Sequence, residues 1–123
     1  MNKKDKAVEL RQGKYNCCQA VLLTYAEETG VSAAELEALG SGFGMGMGDT
    51  KGICGALAGA VMIQGLLNHG KPTVQQARQI KAKFRERSGA VDCCDLKGIE
   101  TGKLLCSCDD CVRNAISVLE EVN

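Results

Sequence analysis

Apolar residues recur along this chain at spacings of three and four, and no segment alternates apolar and polar positions as a half-buried strand would. The pattern predicts an all-α fold. Lys3 to Gln12 reads as a first helix with Ala7, Val8 and Leu10 inward, interrupted at Gly13. A second is expected from Tyr15 to Thr29, where Tyr15, Cys18, Leu22 and Tyr25 form one stripe and Cys17, Ala20, Val21 and Thr24 the adjoining one. Ser32 with Glu35 gives the capping box of a short helix that carries Leu36 and Leu39 and stops at Gly40. Thr73 with Gln76 opens another, whose stripe is Ala77, Ile80 and Phe84 as far as Gly89. Ser107 with Asp110 opens the last, from Cys108 to about Val122, with Val112, Ala115, Ile116 and Leu119 inward.

Between these, Gly52 to His69 is apolar almost all round, which predicts a helix at the centre of a bundle of five to six. Gly55 and Gly59, with Ala56 and Ala60, give it a smooth face on which a neighbouring backbone can come close. It is preceded by GSGFGMGMGDTKGIC, with a glycine at every second position from Gly40 to Gly48. This loop is not a nucleotide cradle. No strand precedes it, the G-x-G-x-x-G register fails at Met47 and Asp49, and Gly48 is followed by Asp49 where a phosphate loop needs Lys. Two readings stand. The glycines permit a tight turn, or the missing side chains at Gly44, Gly46 and Gly55 let backbone amides lie against a bulky group bound beside Cys54.

A length of 123 residues bounds one compact domain, residues 1–123, with a modest core. Two Phe, two Tyr and no Trp leave that core to small and aliphatic side chains in close contact. Fifteen Lys and Arg balance fifteen Asp and Glu, so no global field draws in nucleic acid or an anionic membrane. The charged stretch MNKKDKAVELRQG has no apolar segment behind it, and Ile53 to Leu67 is too short to span a bilayer. The expectation is a cytoplasmic protein that binds no nucleic acid and is not embedded in a membrane. No carboxylate pair, Ser-His-Asp set or phosphate cradle is evident, so no substrate-turnover site is assigned.

The eight cysteines, Cys17, Cys18, Cys54, Cys93, Cys94, Cys106, Cys108 and Cys111, change the picture most. A reducing cytosol would keep them as thiols, which makes metal binding or redox chemistry the leading explanation. They come from four separate segments, and four thiolates drawn from four elements of a bundle can converge on one site. Cys54, placed in the first turn of the central helix under a cap from Asp49 or Thr50, sits where the helix dipole favours thiolate over thiol. Taken alone it would equally suit a small buried hydrophobe.

Five quoted stretches carry a resemblance: Asn16-Cys17-x-Gln19-Ala20-Val21, Gly42-Phe43-Gly44-x-Gly46, Cys54-Gly55-Ala56-x-x-Gly59-Ala60, Gly89-x-x-x-Cys93-x-x-Leu96 and a late cysteine before Val112. Together they resemble the redox-active family named for its C…CGAxxG…C…C pattern, over nearly the whole chain. The resemblance places the family's four cysteines on Cys17, Cys54, Cys93 and Cys108, with Cys111 competing for the last place. Cys18, Cys94 and Cys106 are additions to the pattern and alternate ligands. Members of the family often lie beside transporter genes, which implies association with a transport system and a protein redox partner; a homodimer is compatible with the sequence. A similar domain occurs in split-Soret cytochromes, where an iron–sulfur cluster accompanies haem. Here C-x-x-C-H is absent, and the single histidine, His69, sits at a helix end where capping is its expected role.

Three chemistries follow, in this order. An iron–sulfur electron carrier needs four thiolates, no histidine, an apolar pocket and nearby amides, all of which the sequence supplies. A metal-free thiol–disulfide protein would use Cys108-x-x-Cys111 at a helix N-terminus, without the strand-rich scaffold that usually carries the motif. Cys17–Cys18 and Cys93–Cys94 are poor pairs, because adjacent cysteines close a strained ring. A structural or trafficking zinc protein would also suit cysteine ligation, but zinc sites keep their ligands in tight local pairs.

Overall fold

The computed structural model describes all 123 residues. They form eight helices and no named strand, so the all-α expectation holds. In chain order they are α1 Lys3–Gln12, α2 Cys17–Thr24, α3 Ala26–Thr29, α4 Ala33–Gly40, α5 Gly55–Leu67, α6 Val74–Ser88, α7 Cys93–Lys97 and α8 Cys108–Val122. None is long and apolar enough to cross a membrane.

The helix that was read as one element from Tyr15 to Thr29 is two. It breaks at Tyr25 (φ −105°, ψ 17°), one residue after the Thr24 hydroxyl donates back to the Ala20 carbonyl at 2.8 Å. That back-bond competes with the helix ladder and favours a bend. The start of α2 is defined by a full capping box: Asn16 Oδ1 accepts from the Gln19 amide, and Gln19 Oε1 accepts from the Asn16 amide. The same two side chains reach α4, donating to the carbonyls of Gly40 and Glu37. One local motif therefore starts α2 and anchors α4.

Ser32 and Ser107 cap their helices, each hydroxyl accepting from the amide three residues on, but neither Glu35 nor Asp110 returns a bond, so these are single caps and not full boxes. Thr73 does not cap α6; its hydroxyl donates to the Lys71 carbonyl and accepts from Asn68. Of the two leucines that α4 carries, Leu36 is buried and Leu39 is 55% exposed, because eight-residue α4 buries a single turn through Leu36 and Gly40.

α5 packs on α2, α6 and α8, and α8 in turn covers α1 and α6. The smooth face of α5 does what its glycines predict. A Cβ at Gly55 would stand 3.2 Å from the Cys18 amide nitrogen, and one at Gly59 would stand 3.1 Å from the Cys18 carbonyl oxygen. The backbones of α2 and α5 touch there, with Cys18 fully buried between them. Phe84, Ile80, Leu57, Ile63, Ile116 and Leu119 fill the remaining core. Burial of such side chains contributes roughly 1.5–3 kcal/mol each before conformational entropy is counted.

Candidate redox site

The glycine loop builds the site from its backbone. Met45, Gly46, Met47, Gly48 and Thr50 all have positive φ, between 52° and 95°. Left-handed geometry at two methionines and a threonine is costly, on the order of 1 kcal/mol or more each, and persists only where surrounding bonds impose it. Here they do. Thr50 N–H donates to the Met45 carbonyl at 2.8 Å, and Gly52 N–H to the Gly46 carbonyl at 2.9 Å. The loop is then tied to the segment before α7: Cys54 N–H donates to Val91 O, Cys93 N–H to Gly52 O and Cys94 N–H to Thr50 O, at 2.8, 2.9 and 2.6 Å.

This stitching has two consequences. Residues before α5 are drawn out beside Ile53–Asp92 in an isolated antiparallel bridge, so α5 starts at Gly55 and Cys54 is its N-cap rather than a member of its first turn. It also sets Cys54 and Cys93 on neighbouring backbone. A Cβ at Gly46 would lie 2.7 Å from Cys93 Cβ, which explains glycine there by close approach as well as by φ.

Cys17 from the start of α2, Cys54 from the cap of α5, Cys93 from the start of α7 and Cys108 from the start of α8 all line one cavity of about 430 Å³. Gly46 and Gly55 line it too. Gly44 does not; a Cβ there would meet the Asn16 side chain at 3.0 Å, so its smallness serves the packing of the loop on the α2 cap. Cys18 lies on the core side of α2, while Cys94 turns away toward Asp95, 3.8 Å from Sγ to Oδ1. Cys106 and Cys111 are buried behind the cavity wall. No three of the Cys, His, Asp and Glu side chains stand close enough to hold a single metal ion.

Two cations complete the lining, Arg11 at the end of α1 and Lys97 at the end of α7. Neither was singled out in the sequence. Lys97 was discoverable, since it lies four residues after Cys93 and shares its face once that segment is read as helix. Arg11 arrives only through the packing of α1 on α8.

The thiols share protons unequally. Cys108 is pulled down to about 5, first by the hydrogen bond from Cys17 and then by Arg11 and Lys97, while Cys17, as proton holder, is pushed up. Cys54 falls to about 7 because the Cys111 thiol donates to it, against the cost of burial, with help from the amides of Leu57 and Ala56 and from Lys97. The helix-end contribution expected at Cys54 is thus present and second to a neighbouring thiol. Burial raises Cys93, and takes Cys18 up to about 12. Lys97 is raised because the surrounding thiols outweigh its desolvation. The arrangement can stabilise several thiolates at once without a histidine.

A family model described as "Putative redox-active protein (C_GCAxxG_C_C)" matches residues 15–122. The chain belongs to this family. The match takes in all four cavity cysteines, the glycine loop and α2 through α8, leaving outside it α1 and therefore Arg11. No curated protein and no solved structure matches the chain.

Proposed function

We propose that this redox-active family member carries an iron–sulfur cluster between Cys17, Cys54, Cys93 and Cys108 and serves in electron transfer. The observation that supports this reading is the placement of the four thiols around a shared cavity of about 430 Å³ rather than around a point. A single zinc ion, with Zn–S bonds of about 2.3 Å, draws its four sulfurs tightly together. A cluster takes its thiolates at its periphery, one per iron in a 4Fe–4S centre and two per iron in a 2Fe–2S centre, so the set as a whole encloses a volume. The donor set fits: all sulfur, from four elements, with Arg11 and Lys97 to offset the charge of the thiolates. When bound, the cluster would supply a one-electron couple whose potential depends on net charge, hydrogen bonding and exposure. The chain's own residues govern each of these. Met45 and Ile99, both largely exposed, add apolar lining beside the thiols, and the stitched loop fixes the spacing of Cys54 and Cys93.

The test is anaerobic purification followed by an absorption spectrum and analysis of iron, acid-labile sulfide and zinc. Broad visible charge-transfer absorption with iron and sulfide in equal amounts is expected. Stoichiometric zinc, or thiols with no metal, would replace this reading with one of the other two.

A further inference from the structure

Cys106 and Cys111 stand outside the four-thiol cavity and need a separate account. Ser107 caps α8, so Cys106 occupies the position before the cap and Cys111 the fourth helical position. Those are the two places whose side chains pack across a helix N-terminus, where apolar residues ordinarily meet. Here both are thiols. Cys111 Sγ lies 3.8 Å from the Cys106 carbonyl oxygen, so the two residues meet across the cap.

The surroundings hold the pair in place. Lys97 Nζ donates to the Cys106 carbonyl at 3.0 Å and to Cys111 Sγ at 3.3 Å, bridging the two residues. Asn114 Nδ2, fixed on the Ser88 hydroxyl at 2.9 Å, stands 3.6 Å from Cys106 Sγ. Cys111 has no exposed surface, whereas Cys106 keeps 6% and follows directly on the exposed stretch Glu100–Leu105. Of the two residues only Cys106 reaches the surface at all, which sets it as the first to meet an incoming disulfide and Cys111 as the one that resolves.

We propose that Cys106 and Cys111 form a reversible dithiol–disulfide centre that exchanges two electrons with a low-molecular-weight disulfide. Cys106 thiolate attacks one sulfur of the incoming disulfide, whose S–S bond breaks and whose other half leaves as a thiolate that takes up a proton. Cys111 then attacks the Cys106 sulfur of the mixed disulfide, its proton passing to the second half, which leaves as a thiol. Two protein thiols are oxidised and one disulfide is reduced to two thiols. Cys111 also touches Cys54, so the pair adjoins the proposed cluster ligand while needing no cluster for its own chemistry.

The full chain is incubated with oxidised glutathione, quenched with acid, alkylated under denaturing conditions, digested and mapped by fragment mass spectrometry, with iron measured on a portion taken before the quench. The expected product joins Cys106 to Cys111 and releases two reduced glutathiones per bond formed, whatever the iron content. In Cys111→Ala a glutathione adduct should accumulate on Cys106, and Cys94→Ser should leave the bond intact; circular dichroism checks the fold of both. A wild-type chain in which Cys106 and Cys111 both stay alkylatable, or in which Cys111 is joined to Cys108, overturns the proposal. Failure of the cluster reading would show instead as absent iron with the Cys106–Cys111 bond still forming.

Discussion

The two ends of α5 are closed in opposite ways. At its C-terminal end Gln64, 1% exposed, donates to the side-chain oxygens of Asn68 and Asn123 at 3.2 Å and accepts from Asn123 at 2.7 Å. Asn68 passes the network on to Thr73 and Gln76. No buried side-chain nitrogen or oxygen in the protein lacks a partner. At the N-terminal end, the cap residue is a cysteine that opens onto a cavity lined by three further thiols. The amide end satisfies itself with hard donors and acceptors. The thiol end gathers soft ligands whose strongest partners are metals or other sulfurs. One end of the helix is therefore structure and the other is site, and substitutions at the two should separate stability from chemistry.

The largest expected effect tests that separation directly. Cys54→Ser replaces a soft thiolate with a poorly ionised oxygen at the point where the stitched loop meets α5, and should abolish iron retention while helical signal is kept. Gln64→Leu should do the reverse. It strands its partners at Asn68 and Asn123, so unfolding by denaturant should show a loss of roughly 1–3 kcal/mol with iron per chain unchanged. If Cys54→Ser keeps its iron while Cys18→Ser or Cys94→Ser loses it, the proposed ligand set is wrong.

A smaller effect is expected within the loop, where two glycines with the same conformational demand differ in surroundings. Gly46 and Gly48 have φ of 58° and 95°, but a Cβ at Gly48 would meet nothing within 4 Å, whereas at Gly46 it would press on Cys93. Alanine at either position carries a left-handed strain of about 1–2 kcal/mol. Only Gly46→Ala should also displace Cys93 and lower iron content. Equal metal loss in both would return the glycines to the role of turn formers alone.

Much of this was legible in the sequence, for identifiable reasons. Helical periodicity or an unbroken apolar run marks every long helix, and the smooth face at Gly55 and Gly59 announces a close backbone approach without saying that α2 makes it. What escaped was conformation set by tertiary bonds. Cys54 moved from first turn to cap because its amide is held by Val91, and the break at Tyr25 follows a Thr24 back-bond that periodicity does not register. α7, five residues long, is too short to show a period. In the site, the four cysteines assigned by family resemblance all line the cavity, whereas Cys111, which spacing suggested as a partner for Cys108, lies outside that lining. The cavity sets Cys108 with Cys17, ninety-one positions away in sequence, a neighbourhood invisible to any local motif. The Cys106–Cys111 contact could have been read from the Ser107 cap, since a cap fixes which residues meet across it.

The finest distinction between the ends of α5 is their response to pH. In the metal-free chain Cys108 is depressed from an ordinary thiol value of 9.0 to about 5, so it remains thiolate as pH falls through neutrality. A depressed folded-state pKa means that its contribution to stability is complete only above about 9.0 and is lost progressively as pH falls through about 5. Alkylation of Cys108 by iodoacetamide, followed by mass spectrometry, should accordingly rise with a midpoint near 5, while Cys93 reacts only toward alkaline pH. The hydrogen bond from Cys17 is the larger cause and Arg11 a lesser one, so Cys17→Ala should move the midpoint up further than Arg11→Gln, and both in the same direction. The Gln64–Asn68–Asn123 network holds no titratable side chain, and its side-chain amide resonances should stay constant across the same range. A wild-type midpoint left near the ordinary thiol value, or one that Arg11→Gln fails to shift, would mean that the charge at the mouth of the cavity is not set by α1, and that the thiol end is no better prepared for a metal than eight unconnected cysteines.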